Sequence, residues 1–287
     1  MGTFDRQIAL FGEEGQAAIR KAKVAVVGVG GIGTHLVQQL SLLGVRDIAL
    51  IDHEELDETN LNRYIGVREG DPIPGTLKVN IGERLVRAVD AQANVVTVPH
   101  RFQSIDGFAA IIRADVVFGC LDTEGARFIL NELCVAYDLK LIDCATEVLP
   151  EEPLIYGGHV HILWDRPGCL YCLGLLDMNA VREDLETSDQ RTNRESVYGV
   201  DRELLRQSGP SVVSLNGVVA SIGVSEFMVA ITGLRSPKQC TTYRADLGRI
   251  TTAFTPPPGD CYTCSLLGAR DSAKVERFIE QPNEPLT

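Results

Sequence analysis

A glycine-rich segment near the N-terminus is the first feature with a clear chemical use. Gly28, Gly30, Gly31 and Gly33 follow the apolar strand-like run VAVV and lead into a stretch of helical periodicity. The pattern G-x-G-x-x-G in this context lets a phosphate approach the backbone N–H groups at a helix N-terminus. Asp52 ends the next predicted strand, 19 positions after Gly33, where an acid can hydrogen-bond a ribose hydroxyl. We therefore predict a nucleotide site, which these features leave open between ATP and NAD.

Further polar residues follow the predicted strands. Asn60 and Arg63 come soon after the ribose acid, Lys78 begins a helix, and Asp122 follows a later strand. Each residue taken alone has a simpler interpretation. Arg63 and Lys78 are then solvated surface charges, and Asp122 is the N-cap of the following helix. Strand ends of a parallel sheet converge on one crevice, however, where two cations suit a triphosphate and an acid suits Mg²⁺. The set favours ATP chemistry and leaves an NAD-dependent oxidoreductase as the least favoured alternative.

The eight cysteines divide into two groups. Four form two C-x-x-C pairs in Pro/Gly turns, namely Cys169, Cys172, Cys261 and Cys264, with 88 residues between the pairs. Four thiolates with no competing ligand favour a closed structural zinc site that the fold must assemble. A redox pair and free buried thiols are the alternatives.

The elements that must position these residues begin with a predicted helix at 13–21 and then alternate between strands and helices as far as about residue 147. This order predicts a Rossmann-like α/β fold with a mostly parallel sheet. The second half predicts further strands at 159–164 and 241–254, a polar loop at 177–208 and a buried helix at 211–232. We predict one domain over residues 1–270, with a nucleotide-binding half at 1–147, a zinc and crossover-loop half at 148–270, and a tail at 271–287.

Composition excludes several classes of protein. Apolar residues make up 45% and charged residues 23% of the 287 residues. This balance is ordinary for a globular chain and argues against long disorder, collagen-like repeats and a coiled coil. The net charge of −12 disfavours nucleic-acid binding, which needs a basic surface. Segment 211–232 is apolar enough to be considered as a membrane span, but Asn216 and Glu226 favour a core helix. With no secretory signal at the N-terminus, we expect a cytoplasmic protein.

Taken in order, these motifs resemble the ThiF/MoeB/HesA-type adenylyltransferases of the ubiquitin-activating enzyme superfamily. The resemblance runs from about residue 5 to residue 265. It rests on Arg6-Gln7, GVGGIG, the block IDHEELDETNLNR, G-x-x-K ending at Lys78, C-x-D at Asp122 and the two C-x-x-C pairs.

The resemblance implies a homodimer that uses ATP and Mg²⁺ to adenylate the C-terminal glycine of a ubiquitin-like protein or peptide. Asp52 would hold the ribose, and Asn60, Arg63 and Lys78 would bind the phosphates. Asp122 would bind Mg²⁺, and Arg6 would reach into the partner's site as an arginine finger. The adenylate would then pass to sulfur, to an amine or to a downstream conjugating or sulfur-transfer protein.

The sequence departs from this family at two points. Segment 177–210, where some members carry a nucleophilic cysteine, contains none. Cys240, expected in a turn, is a weak substitute, since Cys120, Cys134 and Cys144 are expected to pack in the core. Thr123 stands where related enzymes often have asparagine.

Two histidines and two other functions complete the expectations. His159 and His161 share one face of a strand, but no third metal ligand is apparent, so we expect ordinary strand residues. A non-catalytic scaffold subunit is disfavoured, since it has no chemical use for all four of the retained Asp52, Arg63, Lys78 and Asp122. Adenylation of a small-molecule or tRNA-base carboxylate stays open, although the acidity weighs against tRNA.

Overall fold

The centre of the structure is a single eight-stranded sheet. A computed structural model describes residues 2–149, 152–165, 168–186, 210–267 and 279. The strand order is β3-β2-β1-β4-β5-β6-β7-β8. The strands are β1 (Lys23–Val27), β2 (Asp47–Ile51), β3 (Asn94–Val98), β4 (Val116–Gly119), β5 (Lys140–Leu149), β6 (Ile155–Leu163), β7 (Cys240–Arg244) and β8 (Arg249–Ala253).

The first five strands pair in parallel, and the last three extend the sheet in antiparallel fashion. Parallel neighbours need crossover connections, which helices provide here. The helices are α1 (Asp5–Lys21), α2 (Gly31–Leu43), α3 (Lys78–Val89), α4 (Ile105–Ile111), α5 (Glu124–Ala136), α6 (Met178–Asp184) and α7 (Val213–Thr232). The predicted Rossmann-like fold class is confirmed.

Each face of the sheet carries its own apolar core. On one face, α1, α2, α3 and α7 cover the sheet, with Leu36, Leu40 and Phe227 fully buried. On the other face, α4, α5 and the cysteine-bearing segments pack against the alternate residues of the same strands, such as Val117 and Leu141. Side chains of successive strand residues point to opposite faces of the sheet. Because one sheet contains strands from both halves of the chain, both halves contribute residues to each core.

Helix α7 is the one described helix that is long and apolar enough to cross a membrane. It packs against α1, α2, β5 and β6. Its buried residues include Asn216 and Glu226, and the Glu226 carboxylate accepts hydrogen bonds from Arg235 Nη1 and the Lys238 backbone N–H, both at 2.8 Å. These contacts support the expected core helix.

Three local predictions need correction. Helix α1 begins at Asp5, well before the predicted residue 13, and bends at Gly12, where φ is +74°. Cys240 is the first residue of β7 and does not lie in a turn. Helix α6 interrupts the predicted loop 177–208, because Asp177 caps its N-terminus and Val181 is buried. A seven-residue helix is too short to show a clear periodicity in the sequence. The rest of that loop from residue 187, and the tail apart from residue 279, lie outside the described residues.

Candidate functional site

The glycine loop fits tightly between β1, β4 and α2. Gly28 has φ +91°, and a Cβ on it would lie 2.4 Å from the Cys120 carbonyl oxygen at the end of β4. A Cβ on Gly33 would lie 2.1 Å from the Gly28 carbonyl oxygen. Both positions therefore require glycine, because any side chain would separate the loop from the strand or the helix from the loop.

The N-terminus of α2 is left open towards a ligand. Gly30 caps this helix without any side-chain hydrogen bond to its first turn. A Cβ on Gly30 would meet only the Tyr64 hydroxyl, at 3.3 Å. Gly31, by contrast, lies against Asn216 of α7. Unpartnered backbone N–H groups and the helix dipole make such an end suitable for an anion.

Asp52 supports the glycine loop directly. Its Oδ2 accepts a hydrogen bond from the Val29 N–H at 2.8 Å, and its Oδ1 accepts one from the Glu54 N–H at 2.9 Å. Burial raises the pKa of this carboxyl above its ordinary value. Each oxygen keeps acceptor capacity for a hydroxyl. Asp52 therefore shapes the loop in addition to the ribose contact predicted for it.

Asn60 holds the turn that carries Arg63. The Asn60 side chain is buried and accepts a hydrogen bond from the Asp57 N–H at 3.1 Å, which completes a capping box. Arg63 follows three residues later and donates to the Thr59 carbonyl. The Arg63 Cδ lies 3.7 Å from the place of a Cβ on Gly31. The structure thus brings Arg63 to the open end of α2 and gives Asn60 a positioning part.

Lys78 is a buried cation at the first position of α3. Its Nζ pairs with the Glu54 carboxylate and lies 5.4 Å from the centre of the Tyr64 ring. Burial opposes the charged form, but Tyr64, Glu54 and Asp52 together hold the pKa of Lys78 above its ordinary value. Lys78 is therefore charged at neutral pH.

Tyr64 was not singled out in the sequence, although it directly follows Arg63. Its hydroxyl lies beside Gly30, and its ring is within cation–π distance of both Arg63 and Lys78. An aromatic residue between two predicted phosphate-binding cations was the available signal. Tyr64 therefore helps to position the side chains of Arg63 and Lys78.

Asp122 is exposed and has no hydrogen bond or ion pair with any described residue. The helix-cap alternative is wrong for Asp122, because the Thr123 side chain accepts the capping hydrogen bond from the Ala126 N–H at 3.4 Å. Threonine thus leaves the neighbouring carboxylate available to a ligand. The contact between Gly28 and Cys120 places the end of β4, two residues before Asp122, against the glycine loop.

Arg6 lies outside this group of residues. It is exposed on α1, and the neighbouring Gln7 Nε2 donates to the Leu42 carbonyl at 3.0 Å. Leu42 is at the far end of α2 from Gly31, about 16 Å away for a rise of about 1.5 Å per residue. Within its own chain, Arg6 does not reach the open helix end.

The four cysteines of the C-x-x-C pairs come together as predicted. Cys169 Sγ lies 3.9 Å from Cys261 Sγ, and Cys172 Sγ lies 3.9 Å from Cys264 Sγ. All four sulfurs lie within 4.8 Å of one another, and none forms a disulfide. Tetrahedral zinc with bonds of about 2.3 Å requires sulfurs about 3.8 Å apart. The cluster therefore fits a closed zinc site.

A second polar cluster lies on the same face of the sheet. His161 Nδ1 is 3.7 Å from Asp143 Oδ2, and the rings of His159 and His161 stack 4.3 Å apart. Asp143 thus supplies the third potential ligand that the sequence did not reveal. However, Arg127 Nη2 lies 2.5 Å from Asp143 Oδ2 and 3.3 Å from His159 Nε2. Because this guanidinium already neutralises the carboxylate, the cluster is not suited to a metal ion.

A mostly parallel sheet with helices on both faces and a glycine loop between its first strand and α2 defines an α/β protein of the Rossmann-like class. The family model described as "ThiF family" matches residues 4–257. The chain belongs to the ThiF family.

Relatives of known sequence match parts of the chain. The adenylyltransferase and sulfurtransferase UBA4 of Lodderomyces elongisporus is 31% identical over 120 residues, covering 42% of this chain and 26% of that protein. The SAMP-activating enzyme E1 of Haloferax volcanii is 28% identical over 150 residues, covering 50% of this chain and 55% of that protein. The chain thus spans between about a quarter and about half of these relatives.

Solved structures share the fold over most of the chain. E. coli MccB has a TM-score of 0.70 at 19% identity, covering 92% of this chain and 72% of its own. PaaA has a TM-score of 0.64 at 18% identity, covering 88% of this chain and 81% of its own.

The loop geometry predicts that Gly28→Ala destabilises the protein more than an alanine substitution at another glycine with the same φ angle. Gly70 also has φ +91°, but a Cβ there would meet nothing within 4 Å. Gly70→Ala should cost about 1–2 kcal/mol for the left-handed backbone alone. Gly28→Ala should lose about 1–3 kcal/mol more through the clash, together with nucleotide binding. Urea unfolding and nucleotide titration measure both effects, and equal losses for the two variants would refute the close-approach argument.

The cysteine cluster predicts about one zinc ion per chain. Cys169→Ser should abolish zinc retention and lower the unfolding temperature, because the remaining sulfurs no longer close the site. Cys240→Ser, which alters a cysteine outside the cluster, should keep its zinc. Elemental analysis of the purified variants decides the matter, and full zinc in Cys169→Ser would exclude the assigned ligand set.

Proposed function

We propose that this chain is an ATP-dependent adenylyltransferase that activates the C-terminal glycine carboxylate of a ubiquitin-like protein or a peptide. The observation that carries the proposal is the grouping of Arg63 and Lys78 beside the open N-terminus of α2. A triphosphate needs several positive groups at once, and this pocket offers two cations and free backbone N–H groups. Membership of the ThiF family supports the same reading.

The proposed reaction transfers an adenylyl group. A carboxylate oxygen of the partner attacks the α-phosphorus of ATP, the bond between the α-phosphorus and the bridging oxygen breaks, and pyrophosphate leaves with its electron pair. Arg63 and Lys78 bind the phosphates and reduce the charge that builds up on the leaving group. Asp52 accepts hydrogen bonds from the ribose while it holds the loop through Val29.

Lys78 changes partner when the nucleotide binds. In the structure its ammonium is neutralised by Glu54 and lies over the Tyr64 ring. Because its charge is already stabilised, no proton has to be taken up before it meets a phosphate. Asn60 serves the same site by fixing the turn that carries Arg63.

Asp122 would hold Mg²⁺ together with phosphate oxygens, and the metal would neutralise part of the triphosphate charge. Its carboxylate is exposed and unpaired among the described residues, as a ligand for a metal–nucleotide complex must be. Thr123 keeps it so by capping α5 itself.

A homodimer completes the proposal. Arg6 is exposed and remote from the helix end of its own chain, so it can serve a phosphate site only in a second chain. Zinc in the four-cysteine cluster would be structural, since four thiolates leave no open coordination position.

The names of the relatives support the choice of substrate. They include an adenylyltransferase and sulfurtransferase, a SAMP-activating enzyme and a structure of MccB in complex with N-formylated MccA. For this chain we infer a carboxylate at the end of a polypeptide, and a sulfur-transfer or conjugating protein as the downstream acceptor.

Asp122→Asn should lower the rate of ATP–pyrophosphate exchange by at least about 100-fold, the typical loss of one charge-stabilising group. Asp106→Asn is the matched control, because Asp106 is also an exposed aspartate but lies in the first turn of α4. Its exchange rate should equal that of the unaltered chain. Similar rates for Asp122→Asn and the control would remove Asp122 from the proposed site.

The substrate class predicts that exchange depends on a free carboxylate. Ubiquitin-like proteins ending in Gly-Gly and short peptides ending in glycine are offered with MgATP, each beside its C-terminally amidated form. Exchange should occur with a free carboxylate and vanish with the amide. ATP binding without exchange for every polypeptide offered would instead favour a scaffold subunit or a small-molecule substrate.

A further inference from the structure

Helix α6 is bonded at both of its ends to the first turn of α5. Asp184 Oδ2, in the last residue of α6, accepts a hydrogen bond from the Gly125 N–H of α5 at 2.8 Å. In return, Glu124 Oε2 of α5 accepts one from the Asp177 N–H, at the start of α6, at 2.9 Å. A Cβ on Gly125 would lie only 2.6 Å from the Asp184 Cβ. The glycine therefore allows the two helices to approach closely enough for these bonds.

The bond from Gly125 satisfies a group that α5 cannot satisfy by itself. N–H groups in the first turn of an α-helix have no carbonyl partner within the helix. The Thr123 hydroxyl accepts a hydrogen bond from the Ala126 N–H, but at 3.4 Å this bond is longer than the usual range. Asp184 therefore provides the shorter of these two bonds to the first turn. Its negative charge also suits the positive end of the helix dipole.

The same turn is bonded to the sheet on its other side. The second carboxylate oxygen of Glu124 pairs with Arg127, and Arg127 Nη2 lies 2.5 Å from Asp143 Oδ2 of β5. Helix α6 is anchored independently, because Val181 is 2% exposed and belongs to the apolar core on this face of the sheet. The first turn of α5 is thus held between a buried strand on one side and an anchored helix on the other.

Asp122 depends on this turn for its position. It directly precedes Thr123, the N-cap of α5, and its exposed carboxylate has no hydrogen bond or ion pair with any described residue. Its placement therefore follows from the backbone that leads into α5. A group that binds a metal or a substrate has to be held within about 0.5 Å of its working position. Whatever fixes the first turn of α5 consequently fixes the Asp122 carboxylate as well.

We propose that Asp184 is a positioning residue for Asp122. By accepting the hydrogen bond from Gly125, it holds the first turn of α5 and keeps the Asp122 carboxylate where a metal–nucleotide complex meets it. The inference rests on the proposed function, because that function gives Asp122 its part in binding MgATP. It adds a further element to the site, since α6 then supports the nucleotide-binding residues from the second half of the chain.

The first measurement needs no ligand. Because the Gly125 N–H has no partner inside its own helix, the hydrogen-exchange rate of this amide reports on the bond to Asp184. Asp184→Ala should speed that exchange, followed by NMR, at least about ten-fold, as expected for the loss of a bond to a charged acceptor. Asp184→Asn keeps an acceptor oxygen and should restore most of the protection. An unchanged exchange rate in Asp184→Ala would overturn the proposal.

The second measurement compares ATP binding with and without Mg²⁺ by calorimetry, and it needs no catalysis. With Mg²⁺, Asp184→Ala should bind ATP about ten-fold more weakly than the unaltered chain, because a lost supporting hydrogen bond typically costs a metal ligand about 10–100-fold in affinity. Asp184→Asn should recover most of that affinity. Without Mg²⁺, in EDTA, all three proteins should bind ATP equally, since the glycine loop and its cations are untouched. A loss of affinity that is the same with and without Mg²⁺ would contradict the proposal.

Arg182→Ala is the matched control on the same helix. Arg182 is exposed and donates to Asn179 within α6 at 3.4 Å, so its loss alters α6 but removes neither bond to α5. Both its Gly125 exchange rate and its affinity for MgATP should equal those of the unaltered chain. Changes as large as those of Asp184→Ala would assign the effect to α6 as a whole and remove the specific part of Asp184.

Asp122→Asn separates this inference from the proposed function. In the same calorimetric comparison, the variant should lose the advantage that Mg²⁺ gives to ATP binding. If it binds MgATP as tightly as the unaltered chain, Asp122 is not the metal ligand, and the proposed function fails together with the positioning role. If Asp122→Asn loses the advantage while Asp184→Ala keeps it, only the role of Asp184 is overturned.

Discussion

The ion pair between Arg127 and Asp143 fixes helix α5 on the sheet, and the functional centres depend on that helix. Arg127 Nη2 lies 2.5 Å from Asp143 Oδ2, and both residues are buried. Burial alone would raise the pKa of Asp143, but Arg127 and His161 hold it below its ordinary value. An unpaired charge at this depth would be strongly destabilising. The pair therefore sets both the position of α5 and the ionisation of the cluster beside it.

The two halves of helix α5 position different groups of functional residues. Its N-terminus begins directly after Asp122 and Thr123, so the position of the helix determines where the proposed Mg²⁺ ligand lies. Further along, Asn131 Oδ1 accepts a hydrogen bond from the Leu170 N–H at 2.9 Å, which anchors the first C-x-x-C turn. Helix α5 thus follows Asp122 directly, contacts the first C-x-x-C turn and binds Asp143 of the sheet.

Most of the candidate site around the glycine loop could be predicted from the sequence because its geometry is local. A glycine loop between a strand and a helix has few possible conformations, and parallel strand ends must meet at one edge. Gly28, Arg63 and Lys78 therefore lie near one another as expected. The supporting part of Asn60 was not predictable, since it depends on a turn whose hydrogen bonds leave no periodic pattern. For Tyr64 the available signal was its place in the sequence between Arg63 and Lys78.

The side-by-side placement of Asp143, His161 and Cys240 on β5, β6 and β7 shows where such reasoning stops. Asp143, His161 and Cys240 are far apart in the chain, and only the register of two antiparallel pairings sets them side by side. A register shift of one residue would turn Cys240 to the opposite face, and no motif in the sequence fixes that register. The four-cysteine cluster is equally non-local, but paired C-x-x-C spacing signals its ligands in advance.

The distance along the chain between the two cysteine pairs gives the metal site a topological role. The contact between Cys169 and Cys261 joins residues 92 positions apart. By analogy with a covalent cross-link, closing a loop of that length removes about 4–5 kcal/mol of conformational entropy from the unfolded chain. The closed loop contains α6, α7, β7 and β8, so zinc would hold these elements to the rest of the chain even after a backbone cleavage between the pairs. A zinc ion remote from the proposed reaction would then limit how far the second half of the chain can separate from the first half when the fold opens.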